Sequence, residues 1–439
     1  MKKLLSVIVI LALTFISLVL PHKASSNEVQ ILKPGNNFEA WLIEDSTLPI
    51  ITMRLTFKNS GSSYDPEEIA GISSLAAMLL DNGTEEMSGT EFKRELSKLA
   101  SRYSFESDKD NFYINIKALS KNIDRTLELI TQAIIKPKFD LEDIDRAKDQ
   151  LAISIAKKNE DPDHLAEEEW NKQFFAGHPY GKPSHGNLAS ISNISKENLH
   201  EYVNKHFIKD NMVISAVGNI DSDALGDLIS KYFTLVPDAK QNINISPITK
   251  FESVNPGSIH KLVKPTAQSA VVFGQQAIPI TDKRFYALSI LNFVIAGGSF
   301  ESRLMQELRE KRGLVYGVYS FVNPNKNAPT LKGYFATSPD KVTQAMNVLN
   351  DEFLKLKNNG ISEEEFNLAK DYTIGSFPLR LDSYEKLVNY LNFMQIQDLG
   401  ADFLEKRNER VKSVNYEDVV NVIDKVFNPK AMTIVVVGK

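Results

Sequence analysis

The chain has 439 residues, 42% of them hydrophobic and 24% charged, with a formal net charge of −5 and no cysteine. That length exceeds what one hydrophobic core usually serves and predicts two domains, while the apolar share excludes an intrinsically disordered chain. The acidic balance offers nucleic acid no footprint, and without cysteine there are no disulfides, thiolate metal sites or thiol nucleophiles.

In chain order the first predicted element is a leader. Met1-Lys2-Lys3 precedes an apolar run from Leu4 to Leu20, then Pro21 and the small residues Ala24 and Ser26, which is the pattern of a secretory signal cleaved near Ser26. Residues 1–26 are therefore read as a signal peptide, and the protein as exported to the periplasm. The apolar run is at the short limit for a spanning helix, so a retained membrane anchor is the alternative.

Apolar and polar residues then alternate in AWLIED (40–45) and IITMRLTFKNSG (50–61), as half-buried strands do. Apolar residues recur at helical spacing over Gly71–Leu80, Gly89–Leu99, Ile123–Ile135 and Leu141–Lys157. His164 and Glu168 stand four apart in HLAEEEW, which reads as a solvated acid-rich helix face. His178 and His185 flank PYGKP, where His178 is expected to shape a proline-rich turn. Residues 241–258, with little periodicity, read as a linker between a unit of residues 27–240 and a second of residues 259–439.

The second unit repeats the first. Glu197 and Glu417, Lys205 and Lys425, Phe207 and Phe427, Met212 and Met432, and Gly218 and Gly438 all share one spacing, so the chain is a tandem duplication. In each copy a helix leads into a Val/Ile-rich strand. Strands and helices that do not alternate strictly predict α+β units, each an antiparallel sheet covered on one face by helices. His200 and His206 fall on the repeated helix where the other copy has Val420 and Val426, which argues against ligand roles for them.

Four segments in order, GISSLAAMLLDNGT (71–84), HPYGKPSHGN (178–187), the repeated strand AVGNI/VVVGK and SRLMQELREKRGLVYGVYS (302–320), resemble the M16 family of zinc peptidases, which includes the mitochondrial processing peptidase subunits and short bacterial forms. The resemblance implies two duplicated metallohydrolase domains. In that family the first helix carries His-x-x-Glu-His, two imidazoles on one face to hold zinc and a general base between them. Here the three positions are Ser74, Ala77 and Met78, and the further Glu ligand falls near Ser154. None supplies a zinc donor of the usual kind, so no metal is expected on this chain.

In the second copy Arg309 and Tyr316 match the family's Arg/Tyr pair, which reaches across a chamber to hold a substrate carbonyl and stabilise its oxyanion. The stretch AGGSFESRL (296–304) before it reads as a simple turn. By resemblance, short M16 chains pair to close a chamber. The expected partner is a paralogue with intact His-x-x-Glu-His, which would carry the zinc, and the expected substrates are extended peptides. A non-catalytic peptide-binding or scaffold protein is the alternative.

Overall fold

A computed structural model describes residues 28–34, 38–239, 245–253 and 257–439. The expected leader lies outside them. Among the described residues no helix is long and apolar enough to cross a membrane.

The first half contains β1 (Gln30–Leu32), β2 (Ala40–Glu44), β3 (Ile50–Phe57), β4 (Arg102–Ser107), β5 (Phe112–Leu119) and β6 (Met212–Gly218). Its helices are α1 (Ile72–Leu79), α2 (Gly89–Lys98), α3 (Ile123–Ile135), α4 (Leu141–Lys158), α5 (Pro162–Phe174), α6 (Leu188–Asn193), α7 (Lys196–His206) and α8 (Ser222–Tyr232). The second half contains β7 (Ser258–Val263), β8 (Ser269–Gln276), β9 (Val315–Asn323), β10 (Thr330–Thr337) and β11 (Thr433–Gly438). Around them stand α9 (Phe285–Asn292), α10 (Val342–Asn359), α11 (Glu363–Gly375), α12 (Tyr384–Ile396), α13 (Phe403–Lys412) and α14 (Tyr416–Lys425).

The duplication is visible in strand order. The first sheet runs β1-β2-β6-β3-β5-β4 and the second β7-β11-β8-β10-β9, so five strands of each correspond one to one. Both sheets are antiparallel except for one parallel pair each, β2 with β6 and β7 with β11. Gly218 and Gly438 close the corresponding strands at φ +140° and +150°, a region that only glycine enters without strain.

The expectation that helices cover one face of each sheet needs extending. Both faces are covered, and the second cover comes from the other half. Helix α5 lies on β8 and β11 of the second sheet, and α12 lies on β3 and β6 of the first. The two crossings use different chemistry. Trp170 of α5 is almost wholly buried, stacks on Phe174 with ring centroids 4.5 Å apart, and donates from Nε1 to the Thr433 carbonyl at 2.9 Å. Gly274 makes room for it, since a Cβ there would sit 2.7 Å from the indole. On α12 the buried Asn392 accepts from Thr56 Oγ1 at 3.0 Å and donates to Ser215 Oγ at 3.2 Å. Of the expected linker, Ile248 and Phe251 are buried with Trp170, and the Phe251 N–H donates to the Asn327 carbonyl.

Because each half completes the other's core, Trp170→Ala is expected to cost about 3–5 kcal/mol and to destabilise both halves together. Chemical denaturation followed by far-UV circular dichroism should show one transition at lower denaturant, with no plateau from a surviving half.

Candidate functional site

Helix α1 begins at Gly71, whose φ of +97° and contact with the His185 carbonyl leave no space for a side chain. Its first turn is held by Asp65, whose Oδ2 accepts from the Gly71 N–H at 2.9 Å and the Ser73 hydroxyl at 3.0 Å. Burial raises the Asp65 carboxyl to about 7 against those bonds. The helix is thereby fixed against α4 and the edge strand β4.

At the positions that resemble the zinc ligands, Ser74 is buried, while Ala77 and Met78 are half-buried against the core of the first half. Ser154, on α4, is half-buried. Of this set only Ser74 meets polar groups here, and its partners lie outside the set. Ser74 Oγ lies 3.2 Å from the Ser184 carbonyl and 3.1 Å from His185 Nδ1, and His185 Nε2 lies 2.6 Å from Lys158 Nζ. Lys158 stands one helical turn beyond Ser154.

Proton positions follow from the chemistry of the ends. A lysine ammonium only donates, so His185 Nε2 accepts and Nδ1 carries the hydrogen. Nδ1–H then donates to Ser74 Oγ, and the Ser74 hydroxyl donates to the Ser184 carbonyl. Burial, and then the neighbouring Lys158 charge, push the His185 imidazole down to about 4, which keeps it neutral. In this tautomer His185 cannot draw a proton from Ser74, so the arrangement is no serine–histidine nucleophile. Nor does it fit zinc: the donors are a hydroxyl and a committed imidazole, and an ammonium already supplies the positive charge. Among the described residues no three His, Asp or Glu side chains come together as a metal site.

Other histidines have structural partners. His178 Nδ1 accepts from the Tyr180 N–H at 3.2 Å and its Nε2 meets the Thr249 carbonyl at 3.0 Å, as a turn-shaping role predicts. His164 and Glu168 form only a 3.9 Å pair. His206 is buried with Nδ1 2.8 Å from the Asn59 carbonyl.

Arg309 and Tyr316 are brought together in the second half. Arg309 lies on a π-helical turn, Met305–Glu310, a distortion frequent at functional sites. Tyr316 projects from β9, the edge strand of its sheet, and is 86% exposed. The guanidinium carbon sits 5.4 Å from the Tyr316 ring centroid and 4.8 Å from that of the exposed Phe300. Phe300 belongs to the 296–304 stretch read as a simple turn. Gly297 and Gly298 are needed there for close approach, since Cβ atoms would strike Asn292 and Phe293. No hydrogen bond, ion pair or ring contact among the described residues joins Arg309 or Tyr316 to Ser74.

Fold and site together define a duplicated α+β scaffold in which the positions resembling metal ligands carry other chemistry. The profile "Insulinase (Peptidase family M16)" matches residues 41–187, and "Peptidase M16 inactive domain" matches residues 193–372. The chain belongs to the M16 peptidase family. It is 26% identical over 347 residues, 79% of each chain, to "Non-peptidase homolog YmxG" of Helicobacter pylori. It is also 26% identical over 326 residues, 74% of this chain and 78% of the other, to "Uncharacterized zinc protease YmxG" of Bacillus subtilis. A crystal structure of a peptidase M16 inactive domain from Pseudomonas fluorescens superposes with TM-score 0.86 at 25% identity, covering 93% of this chain and 97% of that one. The non-peptidase homolog and the inactive-domain structure support pseudo-peptidase character.

If the Lys158 ammonium guards this position, the quadruple variant Ser74→His, Ala77→Glu, Met78→His, Ser154→Glu should bind zinc poorly. Adding Lys158→Met should raise zinc affinity at least about tenfold, read by competition with a chromophoric chelator.

Proposed function

We propose that this chain is the non-zinc-binding subunit of an exported heterodimeric M16 peptidase. The reading is supported by two observations taken together: the Lys158–His185–Ser74 chain occupies the position that resembles the family's metal site, and Arg309 and Tyr316 stand together on an open edge. Guanidinium and phenol donors act on a carbonyl oxygen without a metal on the same chain. The partner would be a paralogue with intact His-x-x-Glu-His that brings the zinc. Extended peptides suit the sheet edges β4 and β9, because strand addition reads the main chain and tolerates varied sequence. Export rests on the leader pattern of residues 1–26, with periplasmic residence or a retained anchor following from its cleavage or persistence.

A second reading, a peptide-binding or scaffold protein without any cleavage, is favoured by one observation, the description of the Helicobacter pylori relative as a non-peptidase homolog.

Mixing the purified chain with a His-x-x-Glu-His paralogue separates the two. A fluorogenic peptide should be hydrolysed only by the mixture, and Arg309→Ala should lower kcat about 10²–10³-fold while complex formation and zinc content stay unchanged. Peptide binding with no hydrolysis in any mixture would favour the second reading.

A further inference from the structure

Between the two halves, beside the exchanged helices, lies a cavity of about 850 Å³, within the roughly 300–1,000 Å³ of small-molecule sites. Arg54 of β3, Lys58 of the turn after it, Asn389 and Phe393 of α12, and Trp170 of α5 are among its walls.

The charges on those walls are unevenly engaged. Every acid has partners. Asp108 accepts from the Tyr113 hydroxyl at 2.6 Å and from the backbone N–H groups of Asp110 and Asn111. Asp110 accepts from the Tyr180 hydroxyl and the Asn325 amide, and Glu167 and Asp398 are paired with Lys332 and Lys326.

Two cations, Arg54 on β3 and Lys58 just beyond its end, are less engaged. The Arg54 guanidinium lies over the Tyr113 ring, 4.0 Å from its centroid, and donates from Nη1 to Asn389 Oδ1 at 2.5 Å. Its Nε is buried without an acceptor. Lys58, in the turn that follows β3, has no side-chain hydrogen bond or ion pair among the described residues and also lines the cavity.

The guanidinium of Arg54 is one of the cavity's walls, and a guanidinium receives a carboxylate with matching planar geometry. The aromatic side chains Trp170, Phe175, Phe321 and Phe393 line the rest of the space and suit an apolar body. We propose that this interdomain cavity binds a small organic carboxylate with an aromatic or apolar body, its carboxylate on Arg54 and its charge supported by Lys58. The same chemistry is offered by the C-terminal residue of a short peptide and by a free aromatic acid.

Trp170 lines the cavity, so the full chain carrying Trp41→Phe has one tryptophan left as a reporter. N-acetylphenylalanine, N-acetylphenylalanine amide, Gly-Gly-Phe and 3-phenylpropionate are titrated by fluorescence and calorimetry. Saturable binding is expected for the acids and not for the amide. Arg54→Met should weaken it at least about tenfold and Lys58→Met about threefold, with helical content retained. Tighter binding of Gly-Gly-Phe would assign the site to peptide termini, and tighter binding of 3-phenylpropionate to free acids. Equal binding of acid and amide, or no saturable binding of any acid, overturns the proposal. So does unchanged affinity in Arg54→Met, or in Lys58→Met if the first variant fails to fold.

Discussion

The reciprocal exchange of α5 and α12 is the constraint on which the rest of the molecule depends. A sheet with helices on one side still has a second apolar face to bury. Each half solves this by lending a helix to the other, so neither core is complete alone. The indole of Trp170 beneath the notch at Gly274 fixes one crossing by shape, and the Asn392 amide fixes the other through Thr56 and Ser215. Shape is non-directional in its energetics, whereas the indole N–H on the Thr433 carbonyl and the amide between two hydroxyls set rotation and register. Together they hold the sheets in one relation and leave the polar cavity between them.

Within that frame the face of α1 that resembles the family's metal position is held in order by hydrogen bonds. Ser74 is short enough to bond the loop carbonyl of Ser184 and the His185 ring, and Lys158 supplies one positive charge at the end of the chain. Ala77 and Met78 turn the rest of the face apolar. Loop 183–186 is thus tied to α1 and α4 by hydrogen bonds, where a metal would have tied the helices to each other.

Much of this was legible in the chain. The fixed spacing between Phe207 and Phe427 or Gly218 and Gly438 reveals the duplication because both residues serve the same packing or backbone need in each copy. Helix α4 follows its apolar period almost to the residue. That Ser74, Ala77 and Met78 stand where zinc donors would be is what the family resemblance implies. Less legible was Phe300, hidden in a glycine-containing stretch whose glycines serve close packing. The exchange of α5 and α12 left no sign either, since a helix face records that it is buried and not against which sheet.

By itself, then, the sequence determined the two-copy α+β architecture and the seven-residue spacing of Arg309 and Tyr316, because period and offset are properties of the chain in one dimension. Only the tertiary structure decided that Ser74 would meet His185, 111 positions away, that Lys158 would close that chain, and that Arg54 would face a cavity with its Nε unmet. Those outcomes depend on how loops and lent helices cross between distant strands, and no local pattern encodes a crossing.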